Sequence, residues 1–283
     1  MPTSLVEGNS LLAVDIGAVN TRAAYFDVVE NGYRFIGMGQ SPTTSGAAVH
    51  NIMIGVQLAI ENLQTLIGKP LMDDEGRLLI PSQPDGNGVD SMVTTLSVGP
   101  AIKTLIVGLL PDVSLKSVES LAQTTYTRVI DSIGLNDPRH ADEQVDAIAR
   151  YSPELVLIAG GVDGGASHSI SKILEIIGLG AYLLPETKRP AVLYAGNQVL
   201  AQEVRASLSS IASIVQVSPN IRPSVDIEDL APAQRELANM VVNIRQKQMP
   251  ELEEVRTLSG GLARIGAAVR WNHLQTLAYL HHA

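Results

Sequence analysis

The sequence predicts an α/β protein that starts with an antiparallel β-meander and continues with a parallel α/β unit. Short apolar runs near the N-terminus are joined by a strong tight-turn signal, Asn31-Gly32. In the middle of the chain, short apolar strands alternate with helical patterns, which is the order typical of a parallel sheet. The chain has 283 residues and 45% hydrophobic content, enough to bury a substantial core.

The N-terminal region reads as three strands followed by one helix. The helix is predicted from the apolar spacing between Ile52 and Ile67, and Gly68-Lys69-Pro70 ends it. A loop rich in Pro, Gly and Asp then precedes two further short strands. The strands are predicted at residues 11–17, 22–29, 33–39, 92–96 and 103–110.

A longer helix is predicted from Ser114 to about Ile133, where Gly134 ends it. After this helix the chain alternates between helix and strand, which implies a small parallel sheet. These elements are predicted at residues 142–150, 155–159, 167–177, 191–195, 198–208 and 214–217. A further helix at 232–245 and a mildly apolar helical tail complete the chain.

Composition excludes several classes of function. The absence of cysteine rules out disulfides, cysteine-bound zinc, iron–sulfur clusters and a thiol nucleophile. A formal net charge of -9 without any basic block makes nucleic acid an unexpected partner. The apolar runs are too short to cross a bilayer and the first residues do not form a signal peptide. We therefore expect a cytoplasmic protein that does not contact membranes.

The sharpest local feature runs from Asp15 to Arg22. An apolar strand ends in a carboxylate, and a glycine then allows the turn to approach a ligand closely. Such a turn offers amides to phosphate oxygens while Asp15 faces a hydrated cation or the attacking nucleophile. The alternative is an ordinary hairpin whose aspartate caps the turn. The candidate catalytic and metal residue is Asp15, and the candidate nucleotide-binding residues are Gly17, Ala18, Val19, Asn20, Thr21 and Arg22.

A second glycine-rich turn follows the predicted strand at 155–159. Its position before a helix suits an anion, because a helix N-terminus carries partial positive charge. The turn that follows the strand at 191–195 lies at the end of another parallel strand and could share the same crevice. The alternative is a turn whose glycines allow tight packing. The candidate residues are Gly160, Gly161, Asp163, Gly164, Gly165, Gly196 and Asn197.

The segment from Asp15 to Arg22 resembles the first phosphate motif of the actin/Hsp70/hexokinase superfamily. Within that superfamily the chain is similar to the L-protein family encoded beside adenosylcobalamin-dependent glutamate mutase. The similarity extends to collinear blocks at residues 106–112, 157–165 and 194–197, with a looser match from 218 to 235. Together these blocks cover most of the chain.

The resemblance implies a ribonuclease-H-like, actin-like ATPase lobe at residues 1–110, an inserted parallel α/β unit at 111–230 and a helical return segment at 231–283. It also implies ATP and Mg as cofactors. The implied function is nucleotide-dependent assistance, as a chaperone in assembly or reactivation, to a cobalamin-dependent mutase or another client protein.

Two departures from the family pattern keep other functions open. Ala18-Val19 stand where the family places Ser or Thr, and no second phosphate loop follows Gly261. The chain therefore resembles the N-terminal part of a longer protein or a shortened homologue, and we expect it to bind ATP weakly or not at all by itself. The alternatives are a small-molecule kinase of the same superfamily, in which Asp15 or another carboxylate accepts a proton from the substrate hydroxyl, and a non-enzymatic scaffold that has lost nucleotide binding.

Overall fold

The computed structural model describes residues 10–30, 32–45, 51–165 and 167–258, and the backbone of residues 264–267. These residues belong to two compact units. The first takes in the described parts of Met1–Pro100 and Arg245–Ala268, and the second consists, in its described part, of Ala101–Ile244. The three-segment division expected from the sequence stays a prediction. None of the described helices is long and apolar enough to span a bilayer.

The described part of the chain contains ten strands and seven α-helices. The strands are β1 (Leu11–Ile16), β2 (Asn20–Val29), β3 (Gly32–Pro42), β4 (Ser91–Leu96), β5 (Ile102–Val107), β6 (Thr127–Ile133), β7 (Leu155–Ile158), β8 (Ala191–Tyr194), β9 (Ile214–Val217) and β10 (Arg264–Ala267). The helices are α1 (Ile52–Ile67), α2 (Lys116–Ala122), α3 (Ala141–Tyr151), α4 (Ser167–Tyr182), α5 (Ala201–Leu208), α6 (Ala231–Gln248) and α7 (Leu252–Leu258).

The first unit is built on a mixed sheet with strand order β10-β4-β1-β2-β3. β1, β2 and β3 form the predicted antiparallel meander, whereas β4 and β10 run parallel to β1 and to β4 respectively. Alternate residues of β1 are buried because one face of the sheet packs on helices. Leu12, Val14 and Ile16 form one core with apolar residues of α1 and α7.

The second unit contains a sheet of five parallel strands in the order β6-β5-β7-β8-β9. All four residues of β7 and of β8 are buried, as expected for central strands covered on both faces. From β5 the chain moves outward to β6, and it then crosses back past β5 to β7 and continues to β8 and β9. The order in which strands are added to the sheet therefore changes direction between β5 and β7. The predicted mixed α/β fold with a parallel sheet is confirmed.

The helix predicted from Ser114 to Ile133 is wrong in its second half. A π-helical turn at Pro111–Leu115 leads into α2, which ends at Ala122, and the chain then forms the edge strand β6. Three threonines and a tyrosine occupy positions 124–127, where β-branched and aromatic residues disfavour a helix. The Thr127 hydroxyl donates to the Ala122 carbonyl and helps to end α2.

The predicted helical tail is also wrong at Arg264–Ala267, which forms β10 and pairs with β4. The rest of that tail, the predicted turn residue Asn31 and residues 46–50 lie outside the described residues. The short helix α7 was not predicted, although its buried residues Leu252, Val255 and Leu258 follow helical spacing.

Candidate functional site

The first candidate site is the turn between β1 and β2. Gly17, Ala18 and Val19 form this turn, and the Gly17 amide donates to the Asn20 carbonyl over 3.0 Å. A Cβ atom on residue 17 would lie 2.6 Å from that carbonyl oxygen. The tight turn therefore requires glycine at this position.

Asp15 lies near the end of β1 with its carboxylate partly open to solvent. Because β4 runs parallel to β1 with Thr95 in register with Asp15, the Thr95 hydroxyl donates to Oδ1 over 2.9 Å. The Nη1 atom of Arg22 lies 3.9 Å from Oδ2, a long distance for an ion pair. The Asp15 side chain is 42% exposed. One of its two oxygens is thus held in place, while the side chain as a whole stays partly accessible.

Thr43 fixes the turn from the end of β3. Its amide donates to the Val19 carbonyl over 2.8 Å, and its hydroxyl donates to the Gly17 carbonyl over 2.9 Å. The Thr21 hydroxyl lies 2.9 Å from the Thr43 hydroxyl and is part of a fully buried residue. Thr21 therefore stabilises the turn rather than facing solvent.

The two residues at the tip of the turn, Ala18 and Val19, are exposed. Val19 is 74% exposed. Within residues 10–30 and their described neighbours, the amides of Ala18 and Val19 have no hydrogen-bond acceptor. Free amides beside a carboxylate fit the phosphate oxygens of a nucleotide and a hydrated cation. The described residues contain no cluster of three acidic or histidine side chains that could hold a metal directly, so a cation here would depend on Asp15, water and phosphate.

The second candidate site lies where the loops after β7, β8 and β9 meet. Asn197 is fully buried, and its Oδ1 atom accepts a hydrogen bond from the Gly164 amide over 3.0 Å. Its own amide donates to the Gly160 carbonyl over 3.2 Å. The Tyr194 hydroxyl donates to the Asn197 carbonyl over 2.9 Å. The two predicted glycine blocks therefore contact each other directly.

Asp163 is engaged by the neighbouring loops. Its Oδ1 atom accepts hydrogen bonds from the Gln198 amide over 3.0 Å and from Asn220 Nδ2 over 2.9 Å. Asn220 Nδ2 also donates to the Gly161 carbonyl over 3.0 Å. The Asp163 amide donates to the Pro223 carbonyl over 3.2 Å. One carboxylate thus ties together three loops of the second unit.

The glycines of these loops allow close backbone packing. A Cβ on Gly196 would lie 2.9 Å from the Gly160 carbonyl oxygen, and a Cβ on Gly160 would lie 2.9 Å from Leu109. Burial, together with the negative charges of Asp163 and Glu203, raises the pKa of the Tyr194 hydroxyl well above its ordinary value. The hydroxyl therefore stays protonated and acts as a donor.

The amides of Asp163, Gly164 and Gly165 already donate to acceptors within the protein. This arrangement favours the packing interpretation of the glycine loop over anion binding, which stays a prediction. Gly161 and Gly164 adopt left-handed backbone conformations, with φ of 72° and 74°. Glycine is suited to both positions for that reason.

Sequence reasoning missed three residues that shape these sites: Thr95, Thr43 and Asn220. Thr95 lies on a correctly predicted strand, but its contact with Asp15 spans 80 residues of chain. Thr43 lies just after β3, and no sequence motif singles it out. Asn220 lies in the block from 218 to 235, which carried the weakest similarity signal.

Comparison with known proteins places this chain in a family. A family model described as MutL protein matches residues 11–281. Protein MutL of Clostridium tetanomorphum is 22% identical to this chain over 252 residues. The alignment covers 89% of this chain and 46% of that relative, so the chain spans about half of the relative's length.

Among solved structures, a glycerol dehydratase reactivase resembles the chain over 75% of its length and over 31% of the reactivase chain. The sequence identity is 12% and the TM-score is 0.20, which is too low to indicate a shared fold.

Proposed function

Because the chain belongs to the MutL protein family, the L proteins associated with glutamate mutase, we propose that it is a nucleotide-binding accessory protein of an adenosylcobalamin-dependent mutase. Its role would be to assist assembly or reactivation of that client. The partner and the activity would be those of a whole L protein. This chain spans about half the length of the relative that it matches.

The observation that carries the nucleotide part of the proposal is the open turn beside Asp15. A carboxylate at the end of an apolar strand is costly to desolvate unless water, a cation or donors meet it. Asp15 has one hydroxyl donor and a long ion pair, and its side chain is 42% exposed. Its carboxylate is therefore available for a ligand.

The sheet order of the first unit supports a ribonuclease-H-like lobe of the actin-like ATPase type as part of this proposal. The antiparallel meander followed by parallel strands places the end of β1 next to the end of β4. The second unit would then be the inserted parallel α/β unit.

ATP with Mg²⁺ is the proposed ligand of the turn. The Ala18 and Val19 amides would hold phosphate oxygens, and Asp15 would hold a water molecule of the magnesium shell. When bound, ATP supplies the free energy of its hydrolysis for work on the client. The chain's own part is positional, because Thr95 orients the Asp15 carboxylate and Thr43 fixes the turn.

The test combines the chain with an adenosylcobalamin-dependent glutamate mutase that carries a damaged cofactor. Sedimentation measures their association with and without Mg-ATP, and an activity assay measures recovered turnover. We expect the chain to associate with the mutase. We expect Asp15→Asn to reduce the effect of Mg-ATP on this association at least about tenfold. Asp74→Asn is the matched control, because Asp74 is an exposed acid in another loop of the same unit. Absence of association under both conditions would contradict the proposal.

Direct titration calorimetry with Mg-ATP tests the expectation that this chain alone binds weakly. We expect a Kd above about 100 μM. A Kd near about 1 μM would show that the visible turn is sufficient and that the expected second phosphate loop is not needed.

A non-enzymatic scaffold is the second candidate, and the tip of the turn favours it. Ala18 and the exposed Val19 supply no hydroxyl to phosphate or to a cation shell. A scaffold would associate with the mutase equally well with and without nucleotide. A small-molecule kinase, the remaining alternative, would consume ATP only when a metabolite is added.

A further inference from the structure

The outer helices of the second unit differ in how closely they pack. α3 and α4 pack closely, since a Cβ on Gly180 would lie 2.7 Å from Ile148. Between α4 and α5, by contrast, a groove of about 540 Å³ remains. Its floor consists of Leu174, Gly178 and Leu208. We call this feature the α4–α5 groove.

The wall of the α4–α5 groove exposes large apolar side chains. Leu179 is 59% exposed and Tyr182 is 65% exposed, and both line the groove. The neighbouring Leu183 is 59% exposed. Adjacent exposed apolar side chains of this size mark interaction sites on soluble proteins.

The rim of the groove is acidic. Glu175 and Glu203 line it, and among the described residues no basic side chain does. Within residues 167–258 neither carboxylate forms an ion pair. Glu203 accepts a hydrogen bond from the Ser171 hydroxyl over 3.1 Å. The groove therefore combines an apolar floor with two unneutralised negative charges.

We propose that the α4–α5 groove binds an amphipathic helix of a partner protein, with Lys or Arg beside the apolar row of that helix. α4 and α5 satisfy their own backbone groups, so the groove offers no free strand edge and recognises its occupant through side chains. Basic residues on the occupant would complement Glu175 and Glu203. A second copy of this chain fits poorly, because two such grooves would face each other with like charges and the chain carries a net charge of -9.

This inference goes beyond the proposed nucleotide function and does not depend on Asp15. The probe is a fluorescein-labelled helical peptide of about 16 residues, matched to the length of α4. Leucines at positions i, i+3, i+4 and i+7 form its apolar row and lysines flank them. Its comparator carries glutamate in place of every lysine. Fluorescence anisotropy should give a Kd on the order of 10 to 100 μM for the lysine peptide and at least about tenfold weaker binding for the glutamate peptide.

Variants of the intact chain locate the binding surface. Leu179→Ser combined with Tyr182→Ser should weaken binding of the lysine peptide at least about tenfold, because it removes the apolar wall. Glu175→Gln combined with Glu203→Gln should weaken binding about threefold and reduce its salt dependence. Leu135→Ser is the matched control, because Leu135 is exposed in the same unit but does not line the groove. It should leave the affinity unchanged.

Circular dichroism melts of each variant verify that the fold is retained, which is expected because the substituted groove residues are largely exposed. Equal affinity for the lysine and glutamate peptides would overturn the proposal, as would undiminished binding to the Leu179→Ser, Tyr182→Ser variant. Self-association of the chain that this double substitution abolishes would assign the groove to a second copy instead and would also overturn it.

Discussion

The turn that follows β1 and the loop that follows β7 both join an apolar strand to small residues and a single aspartate. In the β7 loop, the Asp163 carboxylate accepts two hydrogen bonds and the amides of three residues donate within the protein. In the β1 turn, Asp15 accepts one hydrogen bond from a hydroxyl, and two amides at the exposed tip have no acceptor among the described residues.

This difference separates a packing loop from an open site. A polar group that is already paired inside the protein must lose that partner before it can bind a ligand, whereas an unpaired exposed group exchanges only water. Glycine content does not make the distinction, because both segments need glycine for their backbone geometry. The deciding quantity is the number of polar atoms that the fold itself has already satisfied.

The largest effect is expected in the β7 loop. Asn197→Ala should lower the free energy of unfolding of the second unit by about 3 kcal/mol. The substitution removes the buried side-chain amide of Asn197, and two backbone N–H groups lose their acceptor. Those amides belong to Gly164 and Val199. Urea unfolding followed by circular dichroism gives the magnitude, and hydrogen exchange assigns it to the second unit. Asn136→Ala, in an exposed turn of that unit, should cost less than about 0.5 kcal/mol. Equal losses would show that Asn197 does not hold the loops together.

Packing within the same loops is tested by two glycines. Gly196→Ala should cost about 2 kcal/mol, because the new Cβ would lie 2.9 Å from the Gly160 carbonyl oxygen. Gly164→Ala meets nothing within 4 Å, although its φ of 74° still disfavours alanine. Its cost should be about 1 kcal/mol from backbone conformation alone. If chemical unfolding ranks Gly164→Ala above Gly196→Ala, close packing is not the main role of these glycines.

The sequence was sufficient to predict the β-meander, α1 and the parallel sheet of the second unit. Their apolar periodicities are local and strong, and the strands of the second unit are buried on both faces. The edge strand β6 was mistaken for helix because its alternation is weak, and only pairing with β5 reveals it. Tertiary pairing overrode a local pattern there.

The candidate sites were predictable as segments but not as arrangements. The Asp15 turn and the glycine loop stand out because of their residue types. The hydrogen bonds that distinguish them come from Thr95 and Asn220, residues 80 and 57 positions away in the chain. No short-range pattern carries such contacts. The sequence therefore could not show in which of the two segments the polar atoms already have hydrogen-bond partners.

A third carboxylate, Asp90, sharpens the comparison within the first unit. Burial disfavours its ionisation, but hydrogen bonds from the amides and hydroxyls of Ser82 and Ser10 outweigh that effect and lower the pKa of Asp90 to about 2. A lowered pKa stabilises the fold above the unfolded value of 3.8, and this contribution is lost as the pH falls towards 2.

Asp90→Asn should therefore cost about 1 kcal/mol at pH 7, and its difference from the wild type should shrink between about pH 4 and pH 2. Urea midpoints measured across that range provide the test. Asp74→Asn, at an exposed position, is the control and should cost less than about 0.5 kcal/mol at pH 7. A difference that does not change with pH would mean that the serine contacts do not depend on the Asp90 charge.

The smallest effect on stability is expected for Asp15, and it should be measured beside Asp163. Asp163→Ala removes the acceptor of two hydrogen bonds and should cost about 1 kcal/mol. Asp15→Ala should cost less than about 0.5 kcal/mol, because the Thr95 hydroxyl can turn to water and the carboxylate is already 42% exposed. The same Asp15→Ala variant should lose the response of mutase association to Mg-ATP. If instead Asp15→Ala destabilises the first unit as much as Asp163→Ala destabilises the second, then Asp15 caps the turn structurally. The contrast between an open turn and a loop whose polar groups are already hydrogen-bonded would then not hold.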